Sequence, residues 1–301
     1  MASGWAVDTG QDCPFRRHGR GDRGREFCYT NITMIHQYIQ KCRAILDTVG
    51  QQESQIQQAA RWFADSILAG RMVHVFGSGH SRIMVEEMWP RYGSFPGFNP
   101  IVELSLTFHN LVVGANGQRQ AMFLENVPGL ADRILRNYDL SAMDAALIIS
   151  SSGCNVVPIE MAEIFQKHGV KVVALITKEH SEKSTSKRSD GKKLGDFADL
   201  ILDTGAPVGD AMVTVPGLDT PVAPGSTVGG AVLVNCIKAE VARMLTEAGQ
   251  PPKVLSAGAV VGPERAVELF EAAYDEHAHR LAKLYEKVGI ASYVSTSDYH
   301  G

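Results

Sequence analysis

Short runs of apolar residues alternate with helical stretches along most of the chain. Five runs, at residues 73–76, 101–104, 145–149, 172–176 and 200–202, predict strands, and the run at 101–104 is the weakest. Because these runs are apolar throughout, they are typical of strands buried on both faces of a parallel sheet. Helices between the strands favour an α/β fold with a doubly wound, five-stranded parallel sheet flanked by helices. Such sheets bind ligands beyond the carboxyl ends of their strands.

Apolar residues at three- and four-residue steps mark the helices. One stripe, within a helical region at about residues 32–69, consists of Ile56, Ala59, Ala60, Phe63 and Ile67. Further helices are predicted at 156–168, at 227–248 with Ser226 as N-cap, and at 264–290.

Two long segments interrupt the alternation of strands and helices. Residues 105–143 form an insertion with a predicted helix at 130–138, and residues 204–226 form a loop rich in Pro, Gly and Asp. Long irregular segments next to a sheet are more often functional than idle.

The two ends of the chain differ from the middle. Residues 1–31 carry five arginines between positions 16 and 25 and have no apolar period, which predicts a disordered extension. A basic arm for an acidic partner and a true start at Met34 are the alternatives. We expect the principal domain at 32–255, followed by a C-terminal helical extension at 256–301.

Charge and composition argue against nucleic-acid and membrane partners and bear on the cellular compartment. The formal net charge is −4, which argues against nucleic acid as the main partner, and 45% of the residues are hydrophobic, enough for a core. No apolar run approaches the roughly 20 residues of a membrane span, and no secretion leader is visible. The five cysteines show no paired spacing, which favours a reducing compartment. We therefore expect a cytoplasmic protein without a nucleic-acid or membrane partner.

Two serine- and glycine-rich segments carry the candidate chemistry. Gly77-Ser78-Gly79-His80-Ser81 follows the first predicted strand, and Ser150-Ser151-Ser152-Gly153-Cys154-Asn155 follows the third. At each, a strand ends, the chain turns on glycine and a helix begins, so N–H groups and hydroxyls are available to an anion. Either segment alone could be an ordinary turn. Two such turns on neighbouring strands would face one pocket suited to a phosphate dianion, with no metal or cofactor needed.

These segments resemble the sugar isomerase (SIS) domain family of phosphosugar isomerases and binding proteins, over about residues 34–255. The similarity is greatest to an uncharacterised, phosphoheptose-isomerase-like subgroup. The further matching segments are 155–162, 179–181, 189–192, 209–211 and 225–231. The resemblance implies a flavodoxin-like fold, a small phosphosugar as ligand, and a homodimer or homotetramer with the site near a subunit boundary. It assigns phosphate binding to Ser78, Gly79, Ser150, Ser152, Gly153 and Asn155.

The catalytic assignment rests on fewer residues. In phosphoheptose isomerases a Glu-Glu pair on the helix after the first motif supplies a carboxylate, so the resemblance implies Glu87 as base and Glu86 as second choice. Here the pair lies about one helical turn nearer the glycine turn. His109, after the second predicted strand, is the expected proton shuttle, and His180, after the fourth, is another candidate pocket residue. The family's histidines on the helix at 227–248 are absent here.

Three functions remain open. The first is an aldose–ketose isomerase acting on a phosphosugar, and the second is an etherase that cleaves a phosphorylated amino sugar. The third is a phosphosugar sensor without catalysis. The phosphate-binding segments suit all three, because serines and main-chain groups recognise the phosphate and not the sugar.

Overall fold

The computed structural model describes residues 33–107 and 114–286. Its main sheet has five parallel strands in the order β2-β1-β3-β4-β5. The strands are β1 Val73–Gly77, β2 Phe98–Ile101, β3 Ala145–Ile149, β4 Lys171–Ile176 and β5 Leu200–Asp203. The predicted doubly wound, five-stranded parallel sheet is confirmed.

The strand order places a topological switch point between β1 and β3. The chain leaves β1 toward β2 on one side and later returns to β3 on the other, so β1 pairs with both. Val73 pairs with Ala145, and Gly77 pairs with Ile149, so the two strands end level with each other. Ser78 and Ser150, the residues that follow, therefore leave the sheet side by side.

Helices cover both faces of the sheet. They are α1 Met34–Gly50, α2 Glu53–Leu68, α3 Arg82–Met88, α4 Leu104–Thr107, α5 Gly117–Leu124, α6 Leu130–Leu135, α7 Val156–Lys167, α8 Lys178–Lys183, α9 Ser226–Glu247, α10 Gly258–Val261 and α11 Pro263–Tyr285. A two-stranded antiparallel hairpin, β6 Ala211–Val213 and β7 Val222–Pro224, lies within the predicted Pro- and Gly-rich loop. None of these helices, nor any other helical stretch in the described segments, is both long and apolar enough to cross a membrane.

The second strand lies three residues earlier than the predicted position at 101–104. β2 is Phe98–Ile101, and Leu104–Thr107 is helical. Pro100 concealed this strand, because proline cannot donate to a sheet ladder and normally argues against a strand. β2 is an edge strand, where proline is tolerated.

The start of α9 also differs from the prediction. Its N-cap is Gly225, and Ser226 is the first helical residue. The Ser226 hydroxyl donates to Asp210 Oδ2 at 2.9 Å instead of capping its own helix. The reason is the side chain of Asp210, which accepts the first N–H groups of α9 and takes the place of a capping serine.

Alternate residues of the strands enter two separate cores. Val75 and Leu147 face α2, α3 and α9, where Phe63 is fully buried. Phe76 and Ile148 face α6 and α7. The burial of both faces explains the continuous apolar runs and fixes the position of every strand end on which the site is built.

A buried ion pair joins the amino ends of β1 and β3. Arg71 donates to both carboxylate oxygens of Asp144, at 2.7 and 2.8 Å, and to the carbonyl of Asp139 at 2.6 Å. Burial by itself would raise the pKa of Asp144, but hydrogen bonds from His74 and Arg71 outweigh it and hold that pKa below its usual value. Arg280 of α11 donates to the carbonyls of Ile67 and Arg71, so the last helix is fixed at the same place.

We predict that Asp144→Asn destabilises the fold by about 3–5 kcal/mol at pH 7, because it leaves the guanidinium of Arg71 without its charge partner. Urea denaturation measures this loss.

The effect depends on pH. The pKa of Asp144 is lowered in the folded state, so the stabilisation is full above the usual carboxyl pKa of about 3.9 and is lost as the pH falls through the folded-state value. The difference between wild type and variant therefore shrinks in acid. Arg243→Ala, which removes two surface ion pairs on α9, with Glu240 and Glu247, is the control and leaves stability almost unchanged. Equal effects of the two substitutions would contradict the prediction.

Candidate functional site

The turns after β1 and β3 open into one pocket with a volume of about 260 Å³. It is small among ligand pockets and suits a ligand the size of a monosaccharide phosphate. Its lining residues are predominantly polar and come from both turns, α3, α5 and its C-cap, α8, the loop after β5 and the start of α9. They are Ser78, Gly79, His80, Ser81, Met84, Gln118, Met122, Glu125, Ser150, Ser151, Ser152, Asn155, His180, Asp210, Ser226 and Thr227.

The first turn begins directly at the end of β1. Ser78 is nearly buried, and Gly79 has a φ of +57°, the left-handed region that favours glycine. A single 3₁₀ turn, Gly79–Ser81, then leads into α3. This local geometry directs the Ser78 hydroxyl into the pocket instead of along the sheet.

The second turn is closed by its own serines. Gly153, with a φ of +62°, donates its N–H to Ser150 Oγ at 3.2 Å, and Cys154 donates its N–H to Ser152 Oγ at 3.2 Å. Since both hydroxyl oxygens accept a main-chain N–H, the hydroxyl protons of Ser150 and Ser152 stay available to a ligand.

Main-chain donors in this turn complement those hydroxyls. Within the described residues, the structure gives no acceptor for the N–H groups of Ser151, Ser152 and Asn155. The first N–H groups of α7 are different, because Val156 donates to Asn126 Oδ1 at 3.4 Å and Val157 donates to the carbonyl of Glu125 at 2.9 Å. The available amides therefore belong to the turn, and the expectation of free helix N–H groups holds only in part.

Glu125 connects the two turns. Its Oε2 accepts the Ser78 hydroxyl at 2.6 Å, and its Oε1 accepts the side-chain amide of Asn155 at 2.8 Å. The side chain of Asn155 is consequently not a helix cap, although the residue has the N-cap position of α7. A single carboxylate thus occupies donors from both predicted motifs.

The environment of Glu125 favours its protonated form. Burial raises the pKa of this carboxyl, while the hydrogen bond from Ser78 and the charge of Lys187 act in the opposite direction and only partly offset it. A carboxyl with a raised pKa in a polar pocket is suited to general acid–base chemistry.

A second carboxylate lies where the pocket meets α9. Asp210 accepts the N–H groups of Gly225 at 3.0 Å and Ser226 at 2.6 Å through Oδ1, and the Ser226 hydroxyl through Oδ2. Beside it, His180 Nδ1 accepts the N–H of Gly209 at 3.2 Å.

The structure brings the phosphate-binding residues of the prediction together. Ser78, Gly79, Ser150, Ser152 and Asn155 line the pocket, and Gly153 forms the bend of the second turn.

The two predicted catalytic glutamates do not join them. Glu86 and Glu87 line a different surface pocket with Arg91 and Tyr92. Glu87 accepts the Asn235 amide at 2.8 Å and pairs with Arg91. His109 lies outside the described residues. The roles of these three residues therefore stay predictions, and in a single chain neither glutamate contributes to the pocket lining.

Sequence reasoning missed Glu125. It lies in the insertion at 105–143, where no motif marks it, and only the folded chain shows that α5 returns to the two turns. Asp210 had a weak signal in the Gly209-Asp210-Ala211 match, but no role followed from it. In the described part of the chain, no group of three or more His, Cys, Asp or Glu residues is arranged to hold a metal ion.

We predict that Glu125→Gln is at least as stable as wild type at pH 7. The folded state raises the pKa of Glu125, so wild type loses stability as the pH rises from the usual carboxyl value of about 4.3 through the folded-state value. The glutamine can still accept the Asn155 amide and does not titrate, so its stability relative to wild type increases over that window. Urea unfolding at several pH values measures the difference. The exposed Glu86→Gln is the control, and a parallel pH response of both variants would contradict the prediction.

Comparison with known proteins agrees with this architecture. A family model described as "SIS domain" matches residues 37–177, from within α1 to just past β4. A UPF0309 protein of Halalkalibacterium halodurans is 31% identical over 255 residues, which cover 84% of this chain and 95% of the relative. A UPF0309 protein of Listeria innocua is 31% identical over 252 residues, which cover 83% of this chain and 98% of the relative.

Solved structures with a similar fold include two phosphoheptose isomerases. The one from Francisella tularensis has a TM-score of 0.45 and 16% identity, and the match covers 70% of this chain and 98% of that one. The one from Neisseria gonorrhoeae has a TM-score of 0.42 and 14% identity, and the match covers 69% of this chain and 95% of that one. The sequence relatives decide the family: the chain carries an SIS domain and belongs to the UPF0309 family.

Proposed function

We propose that the pocket binds the phosphate group of a phosphorylated monosaccharide. The observation that carries this proposal is the convergence of the turns after β1 and β3 on one small polar pocket. Hydroxyl protons of Ser150 and Ser152 and the main-chain N–H groups of the same turn supply the donors that a phosphate requires. The SIS-domain match and the family resemblance support the same ligand class.

Phosphate entry requires a change at Glu125. An ionised carboxylate that holds Ser78 and Asn155 would repel a phosphate dianion and compete for the same donors. The raised pKa of Glu125 lowers this barrier, because the residue takes up a proton more readily than an exposed glutamate. Binding of the phosphate is therefore coupled to protonation or displacement of Glu125.

The proposed chemistry is isomerisation of an aldose to a ketose or the reverse. This reaction removes a proton from the carbon beside the carbonyl and returns it to the neighbouring carbon, and donors stabilise the enediolate between the two steps. Glu125 is the acid–base residue that the pocket itself supplies. Glu87, Glu86 and His109 remain predicted participants, and the glutamates would serve a site at a subunit boundary in the expected homodimer or homotetramer.

One observation favours the etherase as a second candidate. A carboxyl group whose pKa is raised takes up a proton more readily and can donate it to a departing ether oxygen, and burial raises the pKa of Glu125. The products separate the two candidates, since an etherase releases a hydroxy-acid fragment and an isomerase does not.

We predict that the double variant Ser150→Ala, Ser152→Ala loses the thermal stabilisation that sugar phosphates give to wild type. A ligand at about one hundred times its Kd stabilises a protein by about 2.7 kcal/mol, enough for a clear shift in Tm. A thermal-shift screen of hexose, heptose and amino-sugar phosphates against their unphosphorylated forms measures this. Ser54→Ala, an exposed serine on α2, is the control and keeps the full shift. Full affinity in the double variant would rule out the proposed phosphate site.

We predict that Glu125→Gln lowers turnover at least about a hundredfold, the usual contribution of a general acid–base residue. NMR in D₂O measures both isomer formation and deuterium uptake at the carbon beside the carbonyl, using the sugar phosphate that gives the largest thermal shift. Glu87→Gln is run beside it to test the resemblance-based assignment. Turnover that is normal in Glu125→Gln and lost in Glu87→Gln would exclude Glu125 as the acid–base residue. Binding without any product would favour the sensor.

A further inference from the structure

Part of the pocket lining is built from α8, the loop after β5 and the start of α9, and neither serine turn contributes to it. It comprises His180, Asp210, Ser226 and Thr227. The Asp210 carboxylate accepts hydrogen bonds from Gly225 and Ser226, whereas the Glu125 carboxylate accepts hydrogen bonds from Ser78 and Asn155. The two carboxyl groups of the pocket therefore serve separate sets of partners.

The position of the Asp210 carboxylate is fixed. Its backbone has a φ of +70°, unusual for a residue other than glycine, and three hydrogen bonds from the start of α9 hold the side chain. A carboxylate has about four acceptor positions. Two N–H groups share Oδ1 and one hydroxyl uses Oδ2, so Oδ2 retains an acceptor position for a ligand.

His180 provides the complementary donor. Its Nδ1 accepts the N–H of Gly209, so the neutral ring carries its proton on Nε2. His180 and Asp210 both line this pocket, so the donor and the acceptor are available to the same ligand. A sugar hydroxyl both donates and accepts a hydrogen bond and therefore matches this pair.

The charge at this end opposes an anion. Two N–H groups at the start of α9, those of Gly225 and Ser226, already bind the Asp210 carboxylate and so are not available to a negative group on the ligand. A second phosphate or a carboxylate on the ligand would lie next to the fixed negative charge of Asp210 and would be repelled by it.

We propose that Asp210 and His180 form a subsite for the uncharged, hydroxyl-bearing end of a sugar monophosphate and select against sugars with a second anionic group. The inference rests on the proposed phosphate binding at the serine turns and adds the orientation and class of the substrate. The phosphate lies at the serine turns, and the opposite end of the sugar lies at Asp210.

The test compares ligands that differ only in a second phosphate, namely fructose 6-phosphate with fructose 1,6-bisphosphate and glucose 6-phosphate with glucose 1,6-bisphosphate. Calorimetry gives Kd for each. Wild type should bind the monophosphate at least about tenfold more tightly, although the bisphosphate carries more charge for the serine turns to attract. In Asp210→Asn, which has the same size without the charge, this preference should fall about tenfold.

Two further variants separate the subsite from the fold of the loop. Ser226→Ala removes one hydrogen bond to Asp210, but Asp210 keeps its negative charge. The preference for the monophosphate over the bisphosphate should therefore stay within about threefold of wild type. His180→Ala should weaken the monophosphate about fivefold, and its affinity for inorganic phosphate should equal that of wild type. Circular dichroism melts show whether each variant is folded.

The outcomes distinguish this inference from the function on which it rests. A wild-type protein that binds both members of a pair equally overturns the subsite but leaves the phosphate site intact. The subsite is also overturned if Asp210→Asn leaves the preference for the monophosphate unchanged. It is overturned as well if Ser226→Ala abolishes this preference as fully as Asp210→Asn does. If wild type binds no sugar phosphate and no inorganic phosphate, the proposed function and the subsite fail together.

Discussion

The parallel pairing of β1 with β3 is the constraint on which the site depends. Gly77 lies opposite Ile149, so the two strands end at the same level and the serine turns leave the sheet together. Buried apolar side chains on both faces of the sheet hold this register, and the Arg71–Asp144 pair joins the other end of the same two strands. A shift of one residue would direct each strand side chain into the wrong one of the two cores and would move the two turns out of level, so the packing that stabilises the fold also preserves the pocket.

Glu125 adds a second level of organisation to that pocket. Without a ligand, the converging donors of Ser78 and Asn155 would be unsatisfied in a mostly buried position, which is costly. The Glu125 carboxylate satisfies both, and the carbonyl of the same residue accepts the N–H of Val157 at the start of α7. The residue therefore holds these donors in place, and a ligand that takes them has to replace what Glu125 supplies. A raised pKa makes that exchange easier, because the protonated side chain competes less strongly with a dianion.

The sequence predicted the parts of this structure that follow from regular patterns. Continuous apolar runs located four of the five strands, and the serine- and glycine-rich turns identified one side of the pocket. The prediction misplaced β2 because Pro100 argues against a strand at any position other than a sheet edge. That β2 is an edge strand is known only from the order of strands in the folded sheet. Glu125 could not be recognised, since its function depends on where a 39-residue insertion, 105–143, returns to the sheet. Local patterns carry no information on such long-range contacts.

The two carboxyl groups explain how a pocket with converging donors can distinguish the two ends of its ligand. Serine hydroxyls and main-chain amides bind a phosphate in many orientations, so they do not define where the sugar lies. Burial raises the pKa of Glu125, so this carboxyl takes up a proton more readily than an exposed glutamate, whereas the Asp210 carboxylate is held by N–H groups at the start of α9. In the proposed site, the phosphate therefore lies beside Glu125 and away from Asp210. The position of the negative charge, more than the number of hydrogen-bond donors, therefore determines how the proposed ligand is oriented in the pocket.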